Sequence, residues 1–454
     1  MTMHCIVNDS LVTDVSGDHG RRVEAPVDLS PGDLVLRSSA HAAVLLPELW
    51  GSHCHKCFDS KIRLSRCSRC QTAFYCSKTC QLKDWQSNHR IECQSLKHLA
   101  QLGLRSGQVV DVVLLGRILR RENGEKLEST KLVWYTQDME DHELMLLAVL
   151  AQKLYFVNDE LFTMDEMVRM LSRFRNNNFS ICDELLLELG AGCYLVGAMI
   201  NHSCNPNCVV TFVPKTLDME IRAMKPIKSG EEITQTYVDI ALPRRERQQR
   251  LRNKYHFCCK CTRCLQPLQD PRSLDAFLDA DINGVPQELW TKERQDEVEQ
   301  ALKEANFVTN HVAKETNSTA EHQQCIDALA NLAEHQNSTL HRDNITRLQT
   351  LSALFSAEIE RGSVEEASTY GERMLTFYKR VYSSNHPVTG LHLFTLGDLY
   401  GQLPQFGSRG LNCKAKSLEY LAEAHRILRI THGKNHRFAK MLADRLETSS
   451  FIVS

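Results

Sequence analysis

The sequence is poor in residues that break regular structure, with 21 Gly and 12 Pro among 454 residues, which excludes collagen-like repeats and wholesale disorder. It also lacks net charge. Lys and Arg number 54 against 56 Asp and Glu, a balance of -2, so no bulk field holds nucleic acid or an anionic membrane. Long apolar runs are missing: the stretch 109–115 is broken by Asp111, far short of the roughly 20 residues of a bilayer span. The opening MTMHCIVNDSLVTD shows no basic segment leading into an apolar one. No secretory signal is therefore expected, and the expected compartment is reducing, cytoplasmic and/or nuclear. The length suggests about three domains at roughly 150 residues each.

What is abundant is cysteine, at 18 residues, which disulfides do not explain in a reducing compartment. Most of them fall in two clusters, in residues 54–93 and 182–264, with Cys5, Cys325 and Cys413 outside. The first cluster supplies Cys54, Cys57, Cys67, Cys70, Cys76, Cys80, His89 and Cys93. Eight ligands make two tetrahedral zinc sites. A C-x2-C knuckle brings two thiolates to one ion, and x3 spacing places two ligands one helical turn apart. The alternating order suggests a cross-brace, with Cys54, Cys57, Cys76 and Cys80 on one ion and Cys67, Cys70, His89 and Cys93 on the other; sequential pairing is the geometric alternative. His53 and His55 lack ligand spacing and are expected to face solvent.

The second cluster begins with NHSCNPN at 201–207, a polar island between apolar flanks, followed by a strand-like VVTFV at 209–213. Downstream stand Ile221, Arg222 and Ala223, a turn at Lys228, Ser229 and Gly230, and GEEITQTYVD carrying Tyr237, which read as short strands and turns. A basic run, PRRERQQRLR, reads as the exposed face of a helix. After it, Cys259, Cys261 and Cys264 offer three thiolates, one short of a zinc site. Cys204 is the expected fourth, in competition with Cys208 and Cys258.

The pattern at 54–93, with Phe74, Tyr75 and Trp85, resembles a MYND zinc finger. NHSC-x-P-N, then GEE-x4-Y, then C-x-C-x2-C resembles the SET domain of protein lysine methyltransferases. Together they resemble the SET and MYND domain-containing (SMYD) family, as do the phrases SSNHPVTGLHLFTLGDLY and LRITHGKNHRFAKML near the C-terminus. The resemblance implies an α+β multidomain protein. A SET-type β fold is interrupted by a MYND zinc finger and a helical insert, and is followed by an all-helical TPR-like C-terminal domain. The implied division is 1–50 for the first part of SET, 51–96 for the finger, 97–176 for the insert, 177–240 for the core SET, 241–266 for the post-SET zinc segment and 270–454 for the helical domain.

The same resemblance implies methyl transfer from S-adenosylmethionine to a lysine of a histone or non-histone protein. It assigns Tyr237, Phe179 and Tyr255 to the lysine channel. It assigns His19, Gly20, Arg21, His142, Asn177, Asn201, His202, Tyr237 and Phe257 to the cofactor. Three zinc ions, a lysine-bearing protein or peptide substrate and a proline-rich peptide partner at the finger complete the expectation. No strong nucleic-acid binding, no membrane association and a monomeric state are expected as well. One departure stands out: the family's glycine-bearing G-x-G turn keeps Gly20 but has Arg22 at the second glycine. If that position needs a positive φ or a close backbone approach, Arg costs about 1 kcal/mol or more. This leaves a second reading, an adaptor with little or no catalysis. In the C-terminal region, Asn-His pairs at 385 and 435 lie in two similar stretches, each expected as helix, turn, helix, the second lengthened by a GSRGLN loop.

Overall fold

The computed structural model describes residues 12–14, 21–61, 63–121, 132, 139–152, 163–299, 319–403 and 407–451. The chain opens with β1 (Val12–Asp14), β2 (Arg21–Val23), β3 (Leu34–Ser38) and β4 (Ala42–Leu45), then the finger strands β5 (Ser65–Arg66) and β6 (Phe74–Tyr75). Helices α1 (Lys78–Asp84) and α2 (Arg90–Leu99) finish the finger, joined by one π-helical turn over Trp85–His89. Three helices follow, α3 (Ser106–Arg121), α4 (Asp141–Ala151) and α5 (Met164–Asn177). Thr163 caps α5 by accepting from Glu166 N at 3.3 Å, while the Glu166 carboxylate accepts from Thr163 N at 2.7 Å. This reciprocal cap fixes where the helix starts, and its last turn runs directly into β7 (Asn178–Cys182).

The remaining strands are β8 (Glu188–Cys193), β9 (Asn201–His202), β10 (Cys208–Phe212), β11 (Met219–Ala223) and β12 (Thr234–Gln235). They form small sheets ordered β10-β11-β3 and β4-β8-β7, and β9 pairs with β12 in parallel. Each larger sheet therefore needs a strand from before the finger and strands from after the insert. Val35, Leu36, Leu45, Ile181, Tyr194, Met219, Ile221 and Ile233 make one continuous core between them. Gly190 in β8 is required by a close approach: a Cβ there would sit 2.2 Å from the Val44 carbonyl oxygen.

Helix α3 is buried from Val109 to Leu119 except for the half-buried Asp111, because it lies between α5 and the β4–β8 ribbon in a core with Leu147, Leu171, Phe174, Val44 and Ala191. Its Arg117 reaches the fully buried Glu92 of α2 and donates to Ala43 O at 2.5 Å, and Arg120 donates to Glu92 at 2.7 Å. A buried, multiply hydrogen-bonded ion cluster thus ties finger, insert and sheet together.

After α6 (Arg244–Tyr255) and α7 (Thr262–Leu265) comes the helical part: α8 (Thr319–Thr339), α9 (Ile345–Arg361), α10 (Val364–Val381), α11 (Pro387–Gln402), α12 (Gly407–Thr431) and α13 (Arg437–Phe451). Helices α9 to α13 pack on one apolar core including Phe355, Met374, Leu396, Leu421, Ile427 and Leu442, while α8 packs through Ile326 and Leu329 against Leu354 and Ala357 of α9, the stacked-pair pattern expected. The GSRGLN stretch corrects one expectation: residues 407–412 are the first turns of α12, not a loop. No helix among the described residues is long and apolar enough to cross a membrane.

The two Asn-His turns dock this helical unit onto the sheets. Asn385 Nδ2 donates to Met224 O at 2.7 Å, and Arg426 holds Asn385 Oδ1 at 2.6 Å. At the second turn Gly433, with φ +90°, lets the buried Arg222 guanidinium lie against the backbone, where a Cβ would approach it to 2.9 Å. Arg437 pairs with the Glu184 carboxylate, and Nε2 of the half-buried His436 lies 2.9 Å from it.

Candidate active site and metal centres

Three groups of four donors come together, each with all its ligand atoms within 4.8 Å of one another: Cys54, Cys57, Cys76 and Cys80; Cys67, Cys70, His89 and Cys93; Cys204, Cys259, Cys261 and Cys264. The first two are the cross-braced pairing. Cys57 and Cys80 each lie 3.6 Å from Cys76, Cys67 to Cys93 is 3.9 Å, and Cys204 to Cys264 is 3.5 Å. A tetrahedral ion with bonds of about 2.3 Å sets its sulfurs roughly 3.8 Å apart, so the donor sets suit zinc. Burial, reinforced by the nearby Cys70 and Cys67, pushes the Cys93 thiol up to about 12, which is the cost of crowding thiolates that a dication offsets. Cys208 is buried away from the third group and Cys258 is exposed, so neither competes with Cys204.

Two expectations are corrected here. His55 is buried, not solvent-facing: its Nδ1 accepts from Phe74 N–H at 3.0 Å, and burial pushes its imidazole down to about 3. His53 is half-buried, with Nδ1 2.9 Å from Ser52 Oγ. The basic run is not an exposed face throughout either. Arg247 has no exposed surface; it grips Asp275 through two contacts of 2.8 Å and lies 3.2 Å from Cys204 Sγ. Arg263 shares Asp275 at 2.7 Å. A four-thiolate zinc site carries a net charge of about −2, and these two guanidinium groups with one carboxylate offset half of it.

The proposed cofactor strand is held by hydrogen bonds on both sides. Asn201 Nδ2 donates to Arg21 O at 2.7 Å and to Glu232 Oε1 at 2.9 Å. His202 Nδ1 accepts from Tyr237 N–H at 2.9 Å, and burial pushes this imidazole down to about 4, so it stays neutral. Two residues not singled out from sequence lock the strand crossing. Asn207 accepts from Thr234 N at 2.8 Å and donates to Glu232 O at 2.8 Å, while the buried Gln235 donates to Gly197 O and Ile200 O, both at 3.0 Å. Asn207 was visible as the last residue of NHSC-x-P-N; Gln235 carried no sequence signal.

Tyr237 stands between this strand and a cavity. Its hydroxyl donates to Ile200 O at 2.8 Å. Its ring centre lies 4.8 Å from that of Tyr255, 5.3 Å from His202 and 6.5 Å from Phe257. The cavity, of about 340 Å³, is lined by Asn177, Phe179, Tyr237 and Tyr255 from the SET side and by His386 and His432 from the two docking turns. A second cavity, containing Glu143 and Asp239, shares Tyr237 and Tyr255 with the first. Phe179 stands edge-on to Tyr194 at 5.9 Å.

The other expected site residues separate. Arg21 joins through its carbonyl to Asn201. His142 is exposed on α4, 3.2 Å from Glu140, and lines neither cavity. His19 and Gly20 lie outside the described residues. Arg22 belongs to β2, opposite Thr13, and is not among the residues with positive φ; it pairs with Glu24 at 2.5 Å. The positive φ that would have strained Arg22 is therefore absent.

A family model described as SET domain matches residues 20–238. The chain is 30% identical over 457 residues to Histone-lysine N-methyltransferase SMYD3 of Mus musculus, covering 96% of each. It is 28% identical over 443 residues to N-lysine methyltransferase SMYD2 of Homo sapiens, covering 94% of this chain and 96% of that one. With a finger of two four-donor sites inserted between the strands of one β core, and similarity running nearly end to end, the chain belongs to the SET and MYND domain-containing (SMYD) family.

Proposed function

We propose that the protein transfers a methyl group from S-adenosylmethionine to the ε-amine of a lysine in a histone or non-histone protein. The observation that carries this reading is the position of Tyr237, between the Asn201–His202 strand and a cavity large enough for an extended lysine side chain. The names of the SMYD3 and SMYD2 relatives support it.

In this reading Arg21, Asn177, Asn201, His202, Tyr237 and Phe257 hold the donor, which when bound supplies an electrophilic sulfonium methyl. The π faces of Tyr237 and Phe257 suit a cationic centre. Phe179, Tyr237 and Tyr255 align the amine with the methyl and strip its water. Since a free lysine amine has a pKa of about 10.4, a dry aromatic channel favours the neutral form that attacks. Fixing the Tyr237 hydroxyl on Ile200 O keeps the channel's shape without a separate acid or base.

The domain division given from sequence is kept as part of the proposal. A proline-rich peptide partner at the finger, a monomeric state, no strong nucleic-acid binding, and a cytoplasmic or nuclear setting belong to it too. Incubation with labelled S-adenosylmethionine, histones and a cell extract tests the reaction. Label on lysine is expected, and no protein label under any condition contradicts it.

A further inference from the structure

We propose that His386, in the first docking turn, is a substrate-binding residue that donates its Nε2–H to a backbone carbonyl of the peptide segment beside the target lysine. This rests on the methyltransferase reading and extends it to how the substrate is held and which lysines fit.

Besides docking the helical unit, the two Asn-His turns bring residues to one cavity wall. His386 and Pro387 come from the first and His432 from the second, facing Phe179, Tyr237 and Tyr255. His386 is locked in orientation. Its ring stacks on Tyr382 at 4.1 Å with an interplanar angle of 10°, and its Nδ1 accepts from Val388 N–H at 3.4 Å, capping α11. Burial pushes its imidazole down to about 3, so it is neutral at physiological pH. A neutral ring whose Nδ1 accepts must carry its proton on Nε2. No hydrogen bond among the described residues engages that nitrogen. The fold thus presents a fixed, uncharged donor on a cavity wall, suited to a neutral acceptor such as a peptide carbonyl.

The carboxylates of the same cavity are already engaged. Asp183 Oδ1 accepts from Leu185 N and Leu187 N, both at 2.9 Å, and Glu184 is paired with Arg437. Lys254, exposed on its helix, adds a cation to the lining. Within this cavity no unengaged carboxylate among the described residues faces a basic neighbour of the target lysine; Glu143 and Asp239 belong to the second cavity. Main-chain hydrogen bonding and apolar contact remain, which suits a lysine flanked by uncharged residues.

Two substitutions separate binding from capping. Asn retains a good helix cap but does not reach as far as Nε2, whereas Gln places an amide N–H near the position of Nε2 and caps poorly. The probes are acetylated, amidated heptapeptides with a central lysine flanked by Ala, Leu or Arg, assayed for methyl transfer alongside thermal unfolding of the full chain. His386→Asn is expected to raise KM for the Ala- and Leu-flanked peptides about tenfold, the loss falling on KM more than kcat, with Tm near wild type. His386→Gln is expected to lower Tm while keeping KM within about threefold. Wild type should favour Ala or Leu flanks over Arg. An unmoved KM in His386→Asn, or a KM that simply follows Tm across both variants, overturns the role of His386. Failure of the wild type to methylate any peptide or protein instead contradicts the methyltransferase reading beneath it.

Discussion

Arg247 sits without exposed surface between a carboxylate and two prospective zinc ligands, and its neighbours set the cost of removing it. Burial raises the Asp275 pKa, but Arg247 and Arg263 outweigh it and lower it overall, so Asp275 would keep only part of its compensation in Arg247→Met. The thiolates would also lose an N–H donor. Breaking a buried pair of this kind costs about 3 kcal/mol, so Arg247→Met is expected to lower the free energy of unfolding by about that amount and to speed loss of the third zinc to a chelator. Denaturant titration and timed metal release check both. The sequence could not reveal this residue: a run of five arginines reads as a solvated face because the charge that buries one of them comes from Asp275 and from cysteines far away in sequence. The metal ligands were legible for the opposite reason, since their spacing is imposed by the geometry of the ion itself.

At the level of elements, the strands with alternating or β-branched residues were readable, and β10 and β11 fall where VVTFV and Ile221–Ala223 indicated. What was not readable is the crossing of β9 and β12, a parallel pair of two residues each, held by Asn207 and Gln235 rather than by pattern. Docking of the helical unit was likewise hidden, although the Asn-His phrases that perform it were visible as repeats. Those turns carry a pH dependence. Burial holds both His386 and His432 at about 3 in the folded chain, against about 6.5 when unfolded. Between these values the unfolded chain binds more protons than the folded one, so stability rises with pH through this window and is lost as pH falls below about 6.5. Each buried imidazole should cost about 1 kcal/mol at pH 5.5. Unfolding measured from pH 7.5 to 5 should show the decline beginning above the carboxylate range. The decline should be shallower in a His432→Phe variant, whose remaining imidazoles still contribute.

For the whole molecule, the three metal groups divide the work. Two shape the finger, whose buried Glu92 fastens it to Arg117 and Arg120 of the insert. The third joins Cys204, two residues from His202, to the segment after Tyr255 and Phe257. Metal analysis of the intact protein is expected to return three zinc ions per chain; two or fewer removes at least one assigned site. Removing the third ion should disorder the aromatic set around Tyr237, because His202, Tyr237 and Phe257 pack beside its ligands. The central claim is that this set transfers methyl groups to lysine. Its most direct test is mass spectrometric counting of methyl-lysine on proteins incubated with S-adenosylmethionine and either wild type or Tyr237→Phe. The account predicts new methyl-lysine with wild type and at least about a tenfold slower rate with the variant, which loses the hydroxyl that fixes the channel. Equal rates for the two proteins, or no methyl-lysine from wild type, would contradict it.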